Sequence, residues 1–188
     1  MTIKQTLRLI LVTYISYCSL IMDEFLEGEM IKILGFLKKE KSSSDIVAVC
    51  NAVMFPIEEV NDQVFSQKLM GNGVAFKLLN NIISSPCDGE ITTIFPTGHA
   101  FGITRSDGVE ILVHIGIDTV NLQGEGFVIL SKQGKNIKCG EPIIELNLDL
   151  LKKKNVDLST MLIIVNSNEK DIHFIEYGQV SNKQKINL

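Results

Sequence analysis

The stretch Ala100–Ile115, AFGITRSDGVEILVHI, is two strand-length runs joined by a Ser-Asp-Gly turn, and its reading decides the fold. Val109, Ile111, Val113 and Ile115 share one parity, so on an extended chain they line one face and turn it toward a core. Glu110, Leu112 and His114 occupy the other face, which directs His114 outward. A two-residue loop, Ser106-Asp107 or Asp107-Gly108, sets His99 opposite His114 or one diagonal step away, on the same face. In that register Phe101, Ile103 and Leu112 accompany the imidazoles outward. A three-residue loop over Ser106–Gly108 instead sends the two histidines to opposite faces, because a one-residue slip exchanges the faces of a strand.

Working outward, the rest of the chain beyond Ile46 repeats this grammar of short Val- and Ile-rich runs broken by Gly, Asn, Asp and Pro. The predicted strands are Ile46–Val53, Val74–Leu78, Ile82–Ser84, Gly89–Phe95, Ala100–Thr104, Val109–Ile115, Phe127–Ile129, Pro142–Leu146 and Leu162–Val165. Gly71-Asn72-Gly73, Asn80-Asn81 and Gly124-Glu125-Gly126 supply turns between them. Only Leu148–Lys154 reads as a short helix. Many short strands with tight turns predict an all-β domain, an antiparallel sandwich or barrel-like fold with short helical turns. No repeat of solenoid period is present.

Residues 1–45 read as an N-terminal extension and residues 46–188 as the domain. Leu9–Met22 is apolar and follows Lys4 and Arg8, yet it is shorter than the ~20 residues of a spanning helix and lacks a small-residue cleavage site. Met22 and Met30 are alternative starts, so the segment is read as a mis-start. Ile31, Ile33, Leu34, Phe36 and Leu37 alternate with Lys32, Lys38, Lys39 and Lys41. That pattern fits either a short amphipathic helix touching an anionic membrane or a helix frayed or docked on a neighbour. Ser42-Ser43-Ser44-Asp45 reads as a linker.

Eighteen basic against 22 acidic residues leave a formal charge of -4, which carries no footprint for nucleic acid. Cys18, Cys50, Cys87 and Cys139 are widely spaced, so no CxxC pair exists and the thiols read as packing groups in a reduced, cytoplasmic protein. Of the three histidines, His173 stands in an unrelated segment and reads as an ordinary surface residue. Two imidazoles sharing an apolar outward face point to metal binding or to proton and phosphoryl chemistry.

Phe95-Pro-Thr-Gly-His-Ala-Phe101, the run Gly108-Val-Glu-Ile-Leu-Val-His-Ile-Gly-Ile-Asp-Thr-Val120 and Gly124-Glu-Gly-Phe127 together resemble the glucose-type enzyme IIA domain of the bacterial phosphoenolpyruvate-dependent sugar phosphotransferase system. The resemblance runs from about Ile46 to about Asn168. It implies an antiparallel β-sandwich in which His114 takes phosphate from the phosphohistidine of the carrier HPr and passes it to a cysteine of an enzyme IIB domain. It further implies that His99 stabilises the transferring group, that Thr97 orients His99, and that Asp62 and Asp118 receive an arginine of the phosphodonor. Val64, Phe65, Met70, Phe95, Leu112 and Val120 match the family's apolar docking ring, with Phe65 open to a place in the core and Asp62 to a turn-capping role. No cofactor is implied, zinc entering only as a bridge from His99 and His114 to a partner's carboxylate. Regulatory targets such as glycerol kinase belong to the same inheritance. Gly98 and Gly102 depart from the family's polar residues, and CNAVMFPIEEV lacks its usual proline-leading loop, which bears on partner preference more than on chemistry.

Two other classes use the same residues. A zinc hydrolase would ligate metal with His99, His114 and Asp118, but Ile115-Gly116 follows His114 where an HxH pair would supply a further nitrogen. A regulatory module that only docks on permeases or kinases would not need two titratable rings.

Overall fold

The computed structural model describes residues 45–188; the readings made for residues 1–44 lie outside the described residues. Two antiparallel sheets pack face to face. The larger runs in the order β11-β1-β2-β10-β6-β5-β4-β8 and the smaller in the order β3-β9-β7. The strands are β1 Ala52–Pro56, β2 Asn72–Leu78, β3 Ile82–Ser84, β4 Gly89–Ile94, β5 Ala100–Thr104, β6 Glu110–Ile115, β7 Phe127–Ile129, β8 Asn136–Ile137, β9 Pro142–Leu146, β10 Thr160–Asn166 and β11 Gly178–Val180. This is the predicted antiparallel sandwich, and most predicted strands fall within two residues of the observed ones.

The departures have physical causes. The first strand begins at Ala52 rather than Ile46: residues 46–50 are apolar because they are buried, but they bond to the C-terminal segment through single contacts such as Ala48 N–H to Gln184 O at 2.8 Å. β8, Asn-Ile, and β11, Gly-Gln-Val, went unpredicted because neither carries a run of apolar residues, unlike the short strands β3 and β7. Shortness hid the 3-10 turns Ile57–Glu59 and Thr119–Leu122 and the four-residue helix α1 Gln63–Ser66, whereas α2 Leu148–Lys153 was legible.

The β5–β6 hairpin takes the three-residue loop. Arg105 N–H donates to Val109 O at 2.9 Å and Gly108 N–H to Arg105 O at 3.0 Å, with Gly108 at φ +85 closing the turn. Ala100 therefore faces His114, Phe101 faces Val113 and Ile103 faces Ile111. This corrects the two-residue reading and its consequence: Phe101 and Ile103 are buried in the core instead of accompanying the imidazoles. Val109, Ile111, Val113 and Ile115 lie in that same core, as their parity requires.

The main core fills the space between the sheets, while the outer face of the large sheet carries a second, smaller one. Ala75, Met161 and Ile163, of the parity opposite to the main core, are covered there by Ile57, Val60 and Phe65 from the segment between β1 and β2. His114 shares this outer face with Leu112. Phe101→Ala should lower stability by about 3–5 kcal/mol in urea unfolding, since it empties a fully buried ring site in the main core.

Candidate functional site

His114 is near the end of β6, opposite Met161 of β10. Just beyond it the chain must turn off the sheet, and Gly116 makes the turn at φ +76. A Cβ there would come within 2.4 Å of Thr119 Cγ2 and 2.8 Å of Asp157 O, so glycine is required by space as well as by conformation. Gly116 N–H donates to Ser159 O at 3.1 Å and Ile117 N–H to Asp157 O at 2.8 Å. The buried hydroxyl of Thr119 donates to Ile115 O at 2.6 Å. Thr119 thus shapes the end of β6, a role that sequence pattern alone did not reveal.

His99 stands one residue before β5, in the turn after β4. Gly98 N–H donates to Phe95 O at 2.8 Å, and Gly98 adopts φ +70. Because His99 belongs to this turn, the alternation of β5 does not bind its side chain, even though its carbonyl accepts from Ile115 N–H at 2.7 Å. The two imidazoles meet edge to face, with ring centroids 5.2 Å apart at 70°. The three-residue loop was expected to separate them; the turn at Gly98 undoes that parity argument.

Each ring has an aromatic neighbour, Phe95 at 5.1 Å from His99 and Phe65 at 5.0 Å from His114. Thr97 Oγ1 lies 2.5 Å from His99 Nδ1. With the hydroxyl as donor, Nδ1 accepts and Nε2 carries the ring proton. Nδ1 of His114 is buried and forms no hydrogen bond of good geometry, although the Gly116 backbone is near enough to favour its protonation.

Burial pushes the His114 imidazole down to about 4, and the neighbouring His99 adds to that; Gly116, Asp62 and Asp118 pull weakly the other way. Burial also lowers His99. Both rings are consequently neutral at pH 7; the lone pair on His99 Nδ1 is engaged by the Thr97 hydroxyl, while His114 keeps one available. The folded chain binds fewer protons here than the unfolded one, so stability should be full above the ordinary histidine range and fall as pH drops through it toward about 4. The slope from one such ring is at most about 1.4 kcal/mol per pH unit. Chemical denaturation between pH 7 and pH 4, with and without His114→Ala, measures it.

The acidic residues take distinct positions. Asp62 caps α1, its Oδ1 accepting from Val64 N–H at 2.7 Å, and also acts on His114 through its charge. Asp118 sits at φ 56 in the turn after β6 and likewise favours the charged form of His114. Around them Val64, Met70, Phe95 and Val120 are exposed, while Leu112 is half-buried. Phe65 is only 7 % exposed and belongs to the small core, the place left open for it by sequence. Leu69, 69 % exposed and bonded through its N–H to Val64 O at 3.1 Å, was missed, since a lone leucine in a polar turn shows no periodicity.

His173 pairs with Asp171 at 2.8 Å on an exposed segment. Cys50 and Cys87 are buried with thiols pushed up to about 12, as unreactive packing groups are. Among the described residues no group of three or more His, Cys, Asp or Glu side chains is placed to hold a metal. None of the described helices is long and apolar enough to cross a membrane.

The sequence matches the family of the phosphoenolpyruvate-dependent sugar phosphotransferase system, EIIA 1, over residues 44–170. The chain belongs to this family. The EIIA chain is 38 % identical over 157 residues to the glucose-specific EIIA component of Borreliella burgdorferi, covering 82 % of this chain and 83 % of that protein. It is 41 % identical over 149 residues to the glucose-specific EIIA component of Haemophilus influenzae, covering 79 % and 90 %. Against the glucose-specific EIICBA component of Staphylococcus carnosus it is 35 % identical over 157 residues, 79 % of the EIIA chain but 23 % of that longer protein. Among solved structures, glucose permease IIA from Mycoplasma capricolum superposes with a TM-score of 0.73 at 33 % identity, over 76 % of this chain and 93 % of that one. The EIIA chain is thus a phosphotransferase-system component with the sandwich of its family.

Proposed function

We propose that this EIIA chain is a phosphocarrier in which His114 accepts a phosphoryl group from phospho-HPr and gives it to a cysteine of an enzyme IIB domain. The carrying observation is the convergence of His99 and His114, 5.2 Å between centroids, within a rim of exposed apolar residues. The lone pair of a ring nitrogen of neutral His114 attacks phosphorus, and the donor's P–N bond breaks with its electron pair left on the donor imidazole. In the second step a cysteine thiolate attacks phosphorus and the pair of the His114 N–P bond returns to the ring. A loose phosphoryl transition state asks for in-line positioning and donors to its equatorial oxygens. The Nε2–H of His99, oriented through Thr97, is such a donor.

Asp62 and Asp118 offer carboxylates to a basic partner, which favours orientation and encounter rate. Val64, Leu69, Met70, Phe95 and Val120 form the landing surface. Relatives named EIICBA, in which the EIIA portion is one part of a longer component, support an EIIB acceptor. Relatives named glucose-specific favour a glucose-type permease as the destination. The reaction needs no cofactor of the chain's own, and it takes place in the cytoplasm, where phosphoenolpyruvate is available. Two imidazoles are too few for a tetrahedral zinc, so an ion bridging them would draw its remaining ligands from a partner.

Incubating the full chain with phosphoenolpyruvate, enzyme I and HPr tests the proposal. One acid-labile, alkali-stable phosphate per chain is expected, as a phosphohistidine gives. No incorporation, or an acid-stable phosphate, overturns it.

A further inference from the structure

The apolar residues around His114 divide into two sets. Val64, Leu69 and Met70 are open to solvent, whereas Phe65, from the same segment, is 7 % exposed and places its ring 5.0 Å from that of His114 at a 50° tilt. We infer that Phe65 is a positioning residue that fixes the plane of the His114 imidazole and keeps water from one side of it, so that a phosphoryl group there leaves for a protein acceptor and not for water. The inference rests on the phosphocarrier reading of His114.

Three observations carry it. First, Phe65 is held rigidly: the Asp62 side chain caps α1 at Val64 N–H, the Ser66 hydroxyl donates to Asp62 O at 2.7 Å, and Lys68 pairs with Glu58 at 2.6 Å across to the 3-10 turn. Second, its ring is backed by the small outer core. Third, His114 lacks a hydrogen bond of good geometry at its buried Nδ1. Packing must therefore contribute to fixing the ring plane, and Phe65 is the aromatic ring packed on it besides His99. Misplacing a reacting atom by about 1 Å can cost ~10²-fold in rate.

In the competing hydrolysis a water oxygen forms the new P–O bond and the P–N bond breaks. Its electron pair returns to the ring nitrogen, and the water proton leaves to solvent. Protonation of the ring makes it a better leaving group, so shielding from water slows hydrolysis both by excluding the nucleophile and by disfavouring the imidazolium. Group transfer to a docked cysteine escapes this penalty, because the nucleophile arrives inside the partner.

The test phosphorylates wild type, Phe65→Ala, Phe65→Leu and Val64→Ser with phosphoenolpyruvate, enzyme I and HPr. It then follows loss of phosphate at pH 7 without acceptor, His114 titration by imidazole NMR, and KM for phospho-HPr. Phe65→Ala should hydrolyse at least fivefold faster and titrate nearer the ordinary histidine range, with KM within about twofold. Phe65→Leu, which keeps apolar bulk without a ring and guards against a misfolded alanine variant, should fall between. Val64→Ser should raise KM while leaving the phosphate lifetime unchanged. Unchanged lifetime and titration in both Phe65 variants, with KM raised as in Val64→Ser, would make Phe65 a docking residue and overturn the inference. Failure of wild type to take phosphate would count against the phosphocarrier reading itself.

Discussion

His114→Ala should take up no phosphate from phosphoenolpyruvate, enzyme I and HPr, while remaining folded. The loss should be complete because no other group at the site can replace the nucleophile. His99 has its Nδ1 engaged 2.5 Å from Thr97, and its Nε2–H has no lone pair to offer in that tautomer. Folding should survive because the substitution removes a side chain with a buried nitrogen lacking a well-formed hydrogen bond, and such a group costs stability where it stands. Radiolabelled phosphate incorporation and a circular dichroism melt decide the two halves. Residual incorporation near the wild-type level would remove His114 from the chemistry.

His99→Gln should accept phosphate within a few-fold of wild type yet deliver it to enzyme IIB about 10²–10⁴ times more slowly, the loss typical of removing a positioned proton-transfer group. Acceptance depends chiefly on the neutral ring of His114, whose low proton affinity comes first from burial, with His99 a lesser cause. Delivery differs, since charge is exchanged with a thiolate and the neighbouring imidazole can both donate N–H and take up a proton as negative charge gathers. A glutamine amide offers only the first. Single-turnover transfer from the purified phosphorylated chain to enzyme IIB measures this; transfer at the wild-type rate would leave His99 without a mechanistic role.

How far the site could be read from sequence depended on the scale of the signal. The alternation from Val109 to Ile115 was enough to place four side chains in the main core and His114 on the outer face, because six strand residues define a parity. The loop was another matter. Ser106-Asp107-Gly108 is compatible with two or three residues between the strands, and only the three-residue alternative puts Phe101 and Ile103 in the core, where they lie. The pairing of His99 with His114 then arose for a reason that parity does not contain: His99 precedes the strand, and the left-handed turn at Gly98 frees its direction.

The outer face shows the same limit. Nothing in the spacing of Ile57, Val60 and Phe65 marks them as a cover for the sheet, since Ile57 and Phe65 sit in helical pieces three and four residues long and Val60 in the extended residue after the first. Sequence left Phe65 open to either the surface or the core, and its burial separates it from Val64 and Met70. Thr119 was silent for a simpler cause. A buried threonine bonding a carbonyl four residues back leaves no pattern in composition or periodicity.

The measurement closest to the central claim is imidazole NMR of the phosphorylated, nitrogen-15-labelled chain. If His114 carries the phosphoryl group, phosphorus should couple to one of its ring nitrogens, the His99 ring nitrogens should shift concurrently, and His173 should change little. Phosphorus coupled to any other residue, or a His99 ring indifferent to phosphorylation of His114, would contradict that claim.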